Sequence, residues 1–204
     1  MGMIEPSQAA VTAELAMRER IDAIPESELP EITRALALTS VNTLRTSLVW
    51  DMEWHQEAHP WRLASSVAEA AHYGGVSIDP NAIRPEVQVV IGWVIESAIR
   101  SALPGTDAEW LSKEFERNWS SRVLRVRVGL PPKEFINARL TDYVQIVYGQ
   151  AYPFASAAGF FSHLVLPPGA SSAARDAVET VVAQDTLLLY FSKCRFVRGL
   201  GRTG

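Results

Sequence analysis

Four histidines and one cysteine are all the imidazole and thiol this chain offers, so metal or nucleophilic chemistry has few places to start. Asp51, His55 and His59 fall at i, i+4 and i+8. On a helix that spacing gathers them on one face, where they could serve as metal ligands. Glu69 and His72 form Glu-x-x-His, the spacing used by di-iron carboxylate bundles. Such a centre needs a second Glu-x-x-His and two further glutamates from other helices, and the second motif is missing. His55-Gln-Glu-Ala-His59 is also not His-Glu-x-x-His. Glu53 and Glu57 flank it, so a solvated polar face is the competing interpretation. Cys194 lies between Lys193 and Arg195, a cationic setting that favours a reactive thiolate only at an exposed site. No His lies near it in sequence, and a lone helical cysteine more often packs. There is no Gly-rich phosphate loop before a helix and no Gly-x-Ser-x-Gly elbow. The chain is not expected to be an enzyme.

The elements that would hold these residues read as helices. Ser7 suits an N-cap for a first helix running to Ile24, closed by Pro25. A longer helical run extends from Pro30 to His59, interrupted by Pro60, and Trp61 to Tyr73 continues until Gly74-Gly75. Asp79-Pro80 and Arg84-Pro85 mark a loop. From Val87 to Ala102 the apolar residues recur at helical spacing, with Glu96 placed to pair with Arg100. Thr106 or Asp107 caps the next helix, with Trp110, Leu111 and Phe115 inside. Pro131-Pro132 opens a helix that runs to Gly149. Ser171 or Ser172 starts the last, through Ala177, Val181 and Leu188 into Tyr190. Val123 to Val128 alternates like a strand, yet no partner strand is evident, so a frayed helix end is the better assignment.

Composition narrows the function classes. Of 204 residues, 48% are apolar and 21% charged, with a net charge of −4. The charged share is below the average of about 25%, which leaves surplus apolar surface for a partner or pocket. A net negative charge argues against a nucleic-acid partner. Arg122, Arg125 and Arg127 form a small basic cluster, without the interleaved aromatics of a single-strand binder. The most apolar stretch, Val87 to Ile95, meets Glu96 and Arg100 at once and is too short to span a membrane. With no signal-type segment and a single Cys, a cytoplasmic protein is expected.

The turn Arg127-Val128-Gly129-Leu130-Pro131, followed by Phe135, resembles one found in the sensor-globin family. That family comprises the haem domains of globin-coupled sensors and haem-free relatives among stressosome regulators. Thr106-Asp-Ala-Glu-Trp110 resembles the acidic turn that precedes the proximal helix there. The last helix, Ala177 to Phe196, is similar to the family's closing helix. The resemblance implies an all-α, globin-like helical sandwich over residues 26–204, preceded by an N-terminal helical extension at 1–25.

In that register the proximal His position is Arg125, and Tyr73, beside His72, falls where the family has a distal tyrosine. Iron needs a lone pair from His, Cys, Met or Tyr. A guanidinium stays protonated and has none to give. No cofactor is therefore expected, and haem, if it binds, would not be held through Arg125. Arg125 could instead pair with an anionic ligand, with Tyr73 and His72 as the other pocket candidates.

The resemblance implies a sensory or regulatory domain signalling through a homodimeric helix bundle built from 133–149 and 174–198. Consecutive Leu187, Leu188, Leu189, Tyr190 and Phe191 make the last helix apolar on all sides, which suits burial on all sides. A small apolar or anionic ligand and a downstream partner or output domain complete that expectation. The alternative is a helical metal-binding protein or metalloenzyme using His55, His59, Glu69 and His72.

Overall fold

The computed structural model describes residues 5–22, 59–102, 109, 112–113 and 131–201. Among these the chain is all-α, with no strand. Six helices are α1 (Gln8–Asp22), α2 (His59–Tyr73), α3 (Pro80–Ala102), α4 (Lys133–Val147), α5 (Pro153–Val165) and α6 (Ser172–Gly201). The expected helix from Pro30, the helix around Trp110 and Phe115, and the alternating segment Val123 to Val128 lie outside the described residues.

Local chemistry sets most helix ends. The Ser7 hydroxyl accepts from the Ala10 amide at 3.2 Å, and Ser171 does the same for Ala174 at 3.1 Å. Each satisfies an amide that a helix N-terminus otherwise leaves bare. Gly75 ends α2 with φ +84, a left-handed turn that glycine enters without strain. A side chain at neighbouring Gly74 would run into the Ala174 backbone, so the glycine pair both ends α2 and lets α6 start against it. The Ser171 hydroxyl donates to the Gly74 carbonyl at 2.8 Å across that junction.

The segment expected as a loop at Asp79 to Pro85 is instead the start of α3. Asp79 Oδ1 accepts from the Asn81 amide at 2.9 Å, Pro80 occupies the first helical position, and Pro85 lies inside the helix. Proline suits a first turn, whose amides have no intrahelical acceptor. Pro85 therefore removes only one ladder bond.

The 30-residue α6, roughly 45 Å long at 1.5 Å per residue, is the central post. It packs against α1, α2, α3 and α5. Leu187 and Leu189 are buried, as are Val178, Val182 and Ala183, and only Leu188 of the leucine triplet is exposed. Much of the apolar surface of this helix, among the described residues, is thus met by four neighbouring helices of the same chain. α5 is the most deeply set, with every residue from Phe154 to Ser162 buried. α4 lies outside, against α3 and α5, and buries only Ile136 and Tyr143. No helix of the described residues is long and apolar enough to cross a membrane.

The N-terminal helix shares this core. Ala10 and Ile21 belong to the main apolar cluster, and Pro6 lies over Gly159 of α5, where a Cβ would come within 3.2 Å of the Pro6 Cα. Two buried carboxylates fasten it. Glu14 Oε2 accepts from the Ala155 amide at 2.7 Å, capping α5, whose own N-cap Tyr152 provides no side-chain bond. Glu14 Oε1 accepts from Arg18. In the reverse sense, Glu179 of α6 accepts from the Ser7 amide at 2.7 Å and lies 2.8 Å from the Ser162 hydroxyl. Each carboxylate sits at a helix N-terminus, where the helix dipole favours negative charge.

Candidate functional site

α3 and α4 meet along a polar seam set in an apolar surround. Glu86 is the seventh residue of α3, nearly two turns in, just before the wholly buried run Val87 to Ile95. On α4, Arg139, Asp142 and Tyr143 fall at i, i+3 and i+4 and so share one face. Arg139 Nε donates to Glu86 Oε1 at 2.9 Å, and its Nη1 donates to Asp142 Oδ2 at 3.3 Å. The guanidinium also lies 5.5 Å from the centre of the Phe135 ring, a cation–π contact.

Two atoms of the seam are left over. Glu86 Oε2 and the Tyr143 hydroxyl are both shielded from solvent and have no hydrogen-bond partner among the described residues. A buried polar atom without a partner costs about 1–3 kcal/mol, and here two such atoms belong to one seam. Burial pushes the Glu86 carboxyl above its ordinary value, against the opposing pull of Arg139. Burial alone would lower the Arg139 guanidinium, but its bonds to Glu86 and Asp142 hold it above its ordinary value. The pair attracts, yet not strongly enough to overcome desolvation of the carboxylate. Tyr143 is fully buried, and its hydroxyl is pushed well above its ordinary value by burial and then by the Glu86 charge.

Glu86 also lines an open groove of about 620 Å³ between the start of α3, Phe135 of α4 and the end of α5. Ile78, Ile83, Phe135, Leu164 and Leu166 supply apolar walls. Glu86 is the only ionisable residue among the described residues that line it. A volume of this order falls in the range of small-molecule sites, about 300–1,000 Å³.

Behind the seam, aromatic rings connect α4 to the rest of the core. Tyr143 stacks on Trp93 of α3 at 5.8 Å and meets the edge of Phe160 at 5.0 Å. Trp93 touches Phe154 at 5.6 Å, and Phe154 touches Tyr190 of α6 at 5.1 Å.

The residues singled out by sequence fall elsewhere. Arg125, Asp51 and His55 lie outside the described residues, as does the side chain of His59, the first residue of α2. Tyr73 was expected to face a pocket but is 80% exposed. Its hydroxyl reaches only Glu69 Oε1, at 3.5 Å. His72 is exposed as well. Both sit on the outer side of α2 where the glycine pair ends it, and neither lines the groove. Glu69 and His72 share a helix, but no group of three or more metal-ligating side chains converges among the described residues. Cys194 packs, as expected: it is buried, and its thiol donates to the Ala98 carbonyl at 3.7 Å.

Sequence reasoning passed over Glu86, Arg139, Asp142 and Tyr143. The available signal was the Arg-x-x-Asp-Tyr pattern, which puts an ion pair and a tyrosine on one face of α4. Its acceptor, Glu86, is 53 residues away, and no helical spacing connects the two. No known protein family, curated protein or solved structure matches this chain.

Proposed function

We propose that this chain is a ligand-responsive regulatory domain without catalytic activity, of the kind represented by haem-free sensor globins. The Glu86 groove is its sensing site and α4 its output element. The observation that carries the proposal is the incomplete seam. A carboxylate with one oxygen bonded and one bare lines a groove of ligand size, and its bonded oxygen is held by the helix that packs least deeply. A ligand that engages Glu86 competes with Arg139 and so biases how α4 sits on α3. Coupling between sites requires such a two-state element, whose balance the ligand can tilt. The rings from Tyr143 through Trp93 and Phe154 to Tyr190 offer a packed route to α6, although spatial continuity alone is not coupling.

The outer face of α4 is where the signal leaves. Val144 is 54% exposed and Tyr148 is 85% exposed. Four residues apart, they form an apolar strip suited to the same strip on a second copy. This keeps the homodimer contact expected from 133–149. From 174–198 the exposed large apolar residue among the described ones is Leu188, 50% exposed, and it is the part of that segment offered to the second copy.

Arg139→Gln tests the output element directly. Amide hydrogen exchange across α4 should accelerate by about tenfold or more, equivalent to about 1.4 kcal/mol of local opening. The central stretches of α3 and α6 should keep their protection. Uniform loosening of all helices, or unchanged α4, would remove the basis for treating α4 as a separately responding element. Tyr148→Glu should abolish any self-association seen in sedimentation velocity.

A further inference from the structure

The chemistry of the groove specifies its ligand more narrowly than a sensing role requires. We infer that it takes an organic cation, a primary or secondary ammonium on an apolar body, with Glu86 as the group that receives the charge. This rests on reading the seam as the ligand site and adds the ligand class to it.

Charge decides against an anion. Among the described residues the seam holds two carboxylates, Glu86 and Asp142, that share the one guanidinium of Arg139. Arg139 is committed to both carboxylates and to the Phe135 ring, so it is poorly placed to receive an incoming anion. Hydrogen-bond inventory decides against a purely apolar ligand. Glu86 Oε2 is an acceptor without a donor, and an ionised carboxylate can only accept. An ammonium carries three donors and no acceptor, which is what the seam lacks.

Oε2 is shielded, and the ammonium reaches it as the Glu86 side chain changes rotamer from the seam toward the groove it lines, with the helix left in place. The walls then set the rest of the ligand. Ile78, Ile83, Leu164 and Leu166 receive a hydrocarbon body and give it no polar partner, so the ligand carries its charge at one end.

The test uses the full-length protein and three probes that share one body: n-hexylammonium, n-hexanol and n-hexanoate. Binding is followed by two-dimensional amide NMR. Saturable shifts at α3, α4 and the end of α5 should appear with the ammonium and be about tenfold weaker or more with the alcohol and the carboxylate. Glu86→Gln, which preserves shape, should remove that preference, whereas Glu19→Gln on the exposed side of α1 should leave it intact. The wild-type comparison stands even if Glu86→Gln fails to fold. Alcohol or carboxylate binding as tight as the ammonium overturns the inference, as does an ammonium that does not saturate. The sensing proposal fails separately: ammonium binding without any change in α4 hydrogen exchange would retain the ligand class and discard α4 as output. A response of α4 to the alcohol or the carboxylate alone would do the reverse.

Discussion

Glu14 and Glu179, which tie α1 to α5 and α6, have all four carboxylate oxygens engaged, whereas Glu86, which ties α3 to α4, leaves one oxygen bare. All three are acidic side chains joining elements distant in sequence. The first two are essentially sealed, at 0% and 1% exposure, and each meets a backbone amide at a helix N-terminus. A buried charge is tolerable when its hydrogen bonds are complete, and this clamp meets that condition. The Glu86 seam does not, since burial works against its charge and Arg139 answers only part of the demand. One region has every carboxylate oxygen bonded, and the other leaves one oxygen bare.

The largest expected effect breaks the clamp. Glu14→Ala strips the N-terminus of α5 of its borrowed cap, and Glu179→Ala leaves the Ser7 amide without its acceptor. Each should lower stability by about 2–4 kcal/mol, read from urea unfolding of the whole chain. A loss below about 1 kcal/mol for both would show that α1 is not fastened by its carboxylates.

A smaller effect of opposite sign sharpens the contrast at the seam. Tyr143→Phe removes a buried hydroxyl without a partner and keeps the rings on Trp93 and Phe160. It should leave stability unchanged or raise it by about 1 kcal/mol. A loss of more than about 1 kcal/mol would mean the hydroxyl is bonded in solution, and the seam would then be as complete as the clamp.

The smallest effect is the pH dependence. The Glu86 carboxyl lies above its ordinary value of 4.5 in the folded chain, and burial raises Asp185 above 3.8 despite Arg62. Folded protein therefore holds these protons at pH values where unfolded chain has released them. Their contribution is full below the ordinary values and is lost as pH rises through the raised ones. Urea midpoints should fall over that interval and level off above it. Glu86→Gln and Asp185→Asn together should flatten the fall, and an unchanged profile would assign it to other groups.

Much of the helix inventory was legible because helix ends are local. Ser7, Ser171 and Gly74-Gly75 act within a few residues of themselves, and the Glu96–Arg100 pair, 2.8 Å apart, needs only the helical repeat. α5 was not, although it is the most buried helix. Pro153-Phe-Ala-Ser-Ala-Ala-Gly-Phe-Phe-Ser-His-Leu-Val165 is apolar on nearly every side, so no amphipathic stripe distinguishes it from a buried strand or loop. Val144 shows the converse. It sits in the apolar rhythm of α4 yet is 54% exposed, because among the described residues α4 packs chiefly against α3 and α5.

The sequence by itself determined an all-α chain, where several helices begin and end, and that few residues could do metal or thiol chemistry. It also made α6 apolar all round, since that property belongs to composition. Which of its residues meet this chain's own helices was decided only by tertiary structure: Leu187 and Leu189 are buried in the described core, and Leu188 between them is half exposed. The seam belongs to the same class of decision. Glu86 and Arg139 acquire their meaning from a contact across 53 residues, and a bare oxygen exists only relative to the partners that folding does or does not bring to it.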